Sequence, residues 1–167
     1  MALSTVWRLI AHHENRAAAI AWTKQNHRIA IGWDCVGDIG TRGYKNASDI
    51  AREIAAAYAL GQHPYRNSGA GGASLWGLYD DMQIGDAVIL VAHGRELVVK
   101  VTGPYEFNPH NISALGNYYH QREVELTDFD PDVLWHVAGA TGAKVAKGHS
   151  VRSILVPLPK KVDLAEL

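Results

Sequence analysis

Hydrophobic and polar positions alternate in short blocks along this chain, and the period changes from block to block. Residues 6–12, "VWRLIAH", alternate enough for a short strand. Residues 14–26, "ENRAAAIAWTKQN", are alanine-rich and close on Asn26, which predicts a helix. Residues 28–33, "RIAIGW", form a β-branched apolar run and a second strand. In "SDIAREIAAAYALG" (48–61), Ile50, Ile54, Ala57 and Tyr58 share one helical face. Ser48 or Asp49 is placed to cap this helix and Gly61 to stop it.

The glycine-rich stretch 63–74, "HPYRNSGAGGAS", reads as a flexible loop, and 75–82, "LWGLYDDM", as a short helix. The strongest β signal is 85–105, where two apolar strands flank a tight turn at His93–Glu96. Residues 122–129 alternate charged and apolar side chains, as a half-exposed strand does. Residues 152–158, "RSILVPL", are a last strand, with Pro157 and Pro159 marking an edge. Strand, helix, strand, helix and then mostly strands predict a small α+β domain. Its sheet is expected to be strongly bent or barrel-like, with helices at its side. No repeat or boundary divides residues 1–167, so a single domain is expected.

Composition narrows the function. With 47% hydrophobic and 20% charged residues the balance is that of a soluble globular chain. No apolar run approaches the ~20 residues of a membrane span, and the N-terminus lacks the pattern of a signal peptide. A single cysteine, Cys35, fits a reducing cytoplasm. The net charge of −1 argues against general polyanion binding, so any nucleic acid must meet a local basic face. Charge is indeed uneven. Residues 123–132 carry Glu123, Glu125, Asp128, Asp130 and Asp132 with no base, and 143–161 carry Lys144, Lys147, Arg152, Lys160 and Lys161 with no acid. These are either two solvated faces or one surface kept off phosphates and another kept for them.

Candidate chemistry is sparse. Nine histidines invite a metal site, but no ligand spacing supports one, and His12 and His13 would point to opposite sides of a strand. Neither "GAGGAS" nor "GATGAK" completes a phosphate loop. Nothing in sequence sets a base beside Cys35. No catalytic residue, metal or cofactor is therefore assigned. The aromatic residues say more, because five Trp and seven Tyr accompany only two Phe. Trp and Tyr are favoured where one edge of a ring meets a polar ligand or water. Trp33, Tyr44, Tyr65, Trp76, Tyr105, Tyr118 and Tyr119 fall at strand ends or in loops, with Asp34, Asp38, Arg66 and Asn67 as neighbours. Such a set suits a pocket for a flat heterocycle: rings stack on a base while Asp or Asn reads its edge.

Five motifs, in order, carry a resemblance: "IAIGWDCVGDIG", "DIAREIAAAY", "LWGLYDDMQIGDAVIL", "VVKVTGPYEF" and "YYHQREVEL". Together they span about residues 6 to 127 and resemble the PUA-like domains of the EVE type, found at the N-terminus of McrB-type and Mrr-type restriction proteins. The resemblance implies a bent β-barrel of about five to six mostly antiparallel strands with flanking helices, related to the YTH and ASCH folds. It implies a non-catalytic reader of modified, for example methylated, bases that flips the base into an aromatic cage.

By position, Trp33 matches the Gly-Trp strand end, Trp76 the second tryptophan, Tyr105 the "GPY" tyrosine, and His120 and Arg122 the H-x-R pair. One departure is that Glu125 and Leu126 follow Val124 where the family has a tryptophan. The base-binding residues expected are Trp33, Asp34, Asp38, Tyr44, Asn67, Trp76, Tyr105 and Tyr118. The backbone contacts expected are Arg66, His120, Arg122, Lys144, Lys147 and Arg152. The expected partners are nucleic acid, DNA before RNA, and a nuclease or NTPase of a defence system. The alternatives are a YTH-like reader of modified RNA and a small ASCH-like hydrolase of modified nucleosides.

Overall fold

The computed structural model describes residues 2–110, 115–140 and 154–167. A six-stranded mixed sheet runs in the order β2-β5-β4-β3-β1-β6. The strands are β1 (Val6–Ile10), β2 (Arg28–Ile31), β3 (Ala87–Val91), β4 (Arg95–Phe107), β5 (His120–Leu126) and β6 (Leu155–Pro157). β1 and β3 pair in parallel and the other four pairings are antiparallel. The helices are α1 (Arg16–Asn26), α2 (Ile39–Arg42), α3 (Ala47–Ala59), α4 (Ser68–Trp76) and α5 (Pro131–Val137). The α+β class expected from the sequence is what forms. The closed barrel is not: β2 and β6 are the two edges of the sheet, and among the described residues they do not pair.

β3 is apolar at every position because both faces of the sheet are covered there, as its parallel pairing with β1 requires. Trp7 and Leu9 of β1, Val88 and Leu90 of β3, and Val99 and Val101 of β4 face a large core shared with α1, α3 and α4. Val6, Ala87, Ile89 and Val98 face a smaller core with Leu134 and Trp135 of α5, Ala138 just after it, and Leu158 and Val162 near the C-terminus. The "GD" that enters β3 has a definite task. The Asp86 carboxylate accepts from the Thr5 and Gln83 N–H groups (3.1 and 2.9 Å) and from Trp7 Nε1 (3.0 Å), tying β1 to β3.

β4 is long enough to pair with β3 at one end and β5 at the other, and its register against β5 shifts between Val101 and Tyr105. Pro104 lies inside that irregularity, where a strand tolerates a residue without an N–H. The shift sets Tyr105 opposite Arg122 and Phe107 opposite His120. β5 in turn brings His120 opposite Ile31, at the end of β2.

Two predicted elements change. Residues 68–74 of the stretch expected to be a loop are helical: α4 runs over Ser68–Trp76 and is continued by a π-helical turn over Gly77–Asp81, within the stretch expected to be a short helix. Its glycines permit close packing: a Cβ on Gly72 would lie 2.5 Å from the Ala47 carbonyl oxygen, so α4 presses onto α3. α3 is capped by Asn46, whose side chain accepts from the Asp49 N–H, two positions before Ser48 and three before Asp49, the expected caps. No helix of the described residues is long and apolar enough to cross a membrane.

Candidate functional site

β2 ends at Ile31, and the chain then turns sharply. Trp33 takes a left-handed backbone conformation (φ 63, ψ 48) at the head of a 3-10 turn, Asp34–Val36. A bulky residue there carries a strain on the order of 1–2 kcal/mol. A buried relay holds it in place. His120 Nε2 lies 3.0 Å from the Trp33 carbonyl oxygen, His120 Nδ1 lies 2.7 Å from the Tyr105 hydroxyl, and the Ile39 N–H donates to that hydroxyl (3.2 Å). A carbonyl can only accept, so Nε2 carries the proton, Nδ1 accepts, and Tyr105 donates. Burial pushes the His120 pKa down to about 4, against smaller upward pulls from the Trp33 carbonyl and Asp38, so the ring is neutral and the relay complete at neutral pH.

The indole of Trp33 is fixed as firmly as its backbone. Its Nε1 donates to Asn67 Oδ1 (3.0 Å), which also lies 2.9 Å from His63 Nε2. Two donors on one oxygen orient the Asn67 amide and leave its NH₂ for another partner. The ring lies against Gly71 of α4, where a Cβ would stand 2.8 Å from both Cε2 and Nε1.

A second wall stands beyond the end of β1. The Glu14 and Asn15 N–H groups both donate to His12 Nδ1 (3.0 Å each), which satisfies open donors at the head of α1. His12 Nε2 therefore carries the proton, toward the Leu115 carbonyl at 3.2 Å. Burial lowers the His12 pKa and favours this neutral ring. Tyr118 stacks on one side (centroids 4.2 Å, 25° between planes) and His13 is also stacked on the ring (4.5 Å, 21°). The Tyr118 hydroxyl accepts from the His13 N–H (3.3 Å) and lies 2.9 Å from His13 Nδ1. Burial pushes the Tyr118 phenol up to about 12, so it stays protonated. The two walls meet at Gly32, where a Cβ would approach Tyr118 Cε1 to 3.1 Å.

The connection between α3 and α4 supplies the third side. Tyr65 sets its ring edge-on to His13 (6.1 Å, 69°) and to His63 (6.0 Å, 78°). Together these groups line a cavity of about 990 Å³, with Asn15, Asp34, Arg66 and Asn117 also on its surface. Trp33 and Tyr118 are each only 5% exposed, whereas Tyr65 is 49% exposed and the His13 side chain 43%. The open aromatic surface is thus Tyr65 and His13, and the buried rings hold them in place.

The expected site residues divide. Trp33, Asp34, Asn67, Tyr118 and Arg66 line this cavity. Asp38, Tyr44, Trp76 and Tyr105 do not. Asp38 caps α2 by accepting from the Gly40 N–H, and the Tyr44 hydroxyl donates to the Val36 carbonyl. Trp76 packs on Tyr79, and Tyr105 belongs to the relay and to a separate hollow of about 310 Å³.

His120 and Arg122, expected on phosphates, are buried instead (0% and 3% exposed). Arg122 spends its guanidinium on the carbonyls of Gly103, Leu78 and Met82 (2.8–2.9 Å), which leaves it no reach to solvent. Lys144, Lys147 and Arg152 lie outside the described residues. His12 and His13 were expected on opposite sides of a strand, but β1 ends at Ile10, so strand alternation does not govern them and they stack. Their signal was the run "AHHEN", a histidine pair directly before a helix start.

Residues 7–134 match the model of a family described as a domain of unknown function, DUF8426. The chain belongs to this family. No curated protein matches it. The DUF8426 span contains every cavity-lining residue except Ile154.

Proposed function

We propose that this DUF8426 domain is a non-catalytic reader of modified bases in nucleic acid, DNA before RNA, related to PUA-like domains of the EVE type but built on an open sheet. In this reading it serves a restriction or defence system through a partner nuclease or NTPase. The observation that carries the proposal is the cavity at the end of β2, where a left-handed Trp33 is held at both backbone and ring. A site that keeps backbone strain and orients its polar groups in advance loses little entropy on binding.

Flipping a base out of a duplex costs a few kcal/mol, and stacking returns ~1–3 kcal/mol per base. Tyr65 and His13, set edge to face, offer a corner in which a base stacks on one ring and meets the edge of the other. The Asn67 NH₂ and the Arg66 guanidinium supply donors, and the Asp34 carboxylate supplies an acceptor. Both signs are needed to read a base edge.

Fluorescence anisotropy with plain and modified duplexes tests the proposal, using Tyr65→Ala and Asp34→Ala because both sites are accessible and neither lies in the core. The expected result is tighter binding of at least one modified duplex than of plain duplex, with Asp34→Ala losing about tenfold to a hundredfold, as for a hydrogen bond to a charged group. Equal, weak binding of every oligonucleotide by the unaltered protein would sink the proposal. Tighter binding of the matching modified RNA would move the target to RNA.

A further inference from the structure

The cavity is larger than a methylated base needs, and several of the polar side chains on it have no partner among the described residues. A methylated base has about ten non-hydrogen atoms. At the roughly 30 Å³ share of a water molecule each, it fills no more than about 300 Å³. The deoxyribose of a flipped nucleotide adds about as much again, which still leaves roughly 400 Å³ of the 990 Å³ unfilled.

A site selective for a methyl group presents apolar surface closed around that group. Here the large rings Trp33 and Tyr118 are 95% covered, and the cavity is lined by polar side chains as well as apolar surface. Asp34, Asn15 and Arg66 line it with side chains that make no hydrogen bond or ion pair within the described residues. Asn15 is a telling case. It stands at the N-cap of α1, yet its side chain makes no capping bond, while its own N–H and that of Glu14 donate to His12 Nδ1. An amide, a carboxylate and a guanidinium without partners, beside an exposed tyrosine, are the groups that bind a polyhydroxylated ring. The carboxylate and amide accept from hydroxyls, the amide and guanidinium donate to them, and the aromatic face covers the ring's C–H surface.

We infer that the base read at this site carries a bulky hydroxyl-rich adduct, of the class of a glycosylated base, with Asp34 and Asn15 as its specificity-determining residues. The inference rests on the reader function proposed above and narrows its ligand class. A site built to hydrogen-bond a ligand's hydroxyls discriminates against an analogue lacking them far more strongly than an apolar pocket discriminates by one methyl.

The test is one duplex sequence carrying, at a single position, cytosine, 5-methylcytosine, 5-hydroxymethylcytosine or glucosyl-5-hydroxymethylcytosine. Binding is measured at fixed salt to the full chain and to its Asp34→Ala and Asn15→Ala variants, with melting curves to confirm folding. The glucosylated duplex is expected to bind at least tenfold tighter than the methylated one. Asn15→Ala is expected to erase most of that difference while leaving binding of the methylated duplex unchanged, and Asp34→Ala, which also removes the acceptor for the base edge, to weaken both duplexes but the glucosylated one more. If methylated and glucosylated duplexes bind equally, or the methylated one more tightly, with both above plain, the inference falls and the reader function stands. If no modified duplex exceeds plain, both fall. If the glucosylated preference survives in both variants, the assignment to Asp34 and Asn15 is overturned.

Discussion

At the scale of residues, the site depends on groups that never meet a ligand. Trp33 keeps its left-handed backbone because His120 holds its carbonyl and Tyr105 holds His120. This buried ring also makes stability depend on pH with a definite sign. The folded-state pKa is about 4 and the ordinary value is 6.5, so between them the unfolded chain takes up a proton that the native ring refuses. The contribution is fully present above pH 6.5 and is lost as pH falls through about 4, amounting to ~3 kcal/mol over the window. His12, lowered by burial in the same direction, adds to the trend. Melting temperature is therefore expected to fall between pH 6.5 and 4, and to fall less steeply in His120→Leu. That variant should also be less stable at neutral pH by ~1–3 kcal/mol, since it leaves the Tyr105 hydroxyl buried without its acceptor. A parallel acid slope in the variant would show that the proton goes elsewhere.

At the scale of elements, α4 shows where local signals and packing part company. Gly69, Gly71 and Gly72 read as a loop because glycine is a poor helix former. The helix forms because tertiary contact needs surfaces without side chains: a Cβ on Gly71 would stand 2.5 Å from Ile54 Cδ1 and 2.8 Å from the Trp33 ring. Gly69 has nothing within 4 Å of such a Cβ. Two substitutions in one helix should thus move in opposite directions. Gly69→Ala is expected to stabilise by ~0.5–1 kcal/mol through propensity alone. Gly71→Ala should destabilise by ~1–3 kcal/mol through overpacking against Trp33. Urea unfolding of the pair decides the matter, and stabilisation by both would mean that α4 does not press on Trp33.

The strands, by contrast, were legible, because β-branched runs bounded by "GD" and "HG" turns report burial directly. α5 left a readable signal that alternation hid: Asp130 caps it and Pro131 opens it, the usual start of a helix, but only seven residues follow. Of the site, Trp33, Asp34 and Tyr118 could be anticipated because their motifs place them near strand ends, and Asn67 because it falls in the glycine-rich stretch read as a loop. The relay could not, since its bonds join residues 66, 15 and 87 positions apart. Nor could the histidine stack, which exists only because β1 stops at Ile10.

At the scale of the whole molecule, the family match and the folded unit have different limits. The DUF8426 match ends at residue 134, inside α5, yet the sheet has a sixth strand at Leu155–Pro157. That strand covers the open side of β1, pairing Leu155, Val156 and Pro157 with Leu9, Arg8 and Trp7. The bonds continue past it: the Leu158 N–H donates to the Val6 carbonyl (2.7 Å) and the Lys160 N–H to the Ala138 carbonyl (2.9 Å). Leu155, Val156, Leu158 and Val162 are all buried. At ~1.5–3 kcal/mol for each buried side chain, the segment supplies roughly 6–12 kcal/mol. A whole domain is stable by only ~5–15 kcal/mol. Removing the segment would also turn β1 into an exposed edge with free backbone groups, an aggregation hazard. A chain ending at Ala140 keeps all of the family match and every cavity-lining residue but Ile154, and it is nevertheless expected to lose its cooperative thermal transition or its solubility. A truncated chain that melts cooperatively within a few degrees of the full one would show that the matched span folds by itself and that β6 is an accessory. Otherwise the cavity residues depend on a strand that the family match does not include, and binding experiments on this domain need the chain through Val162.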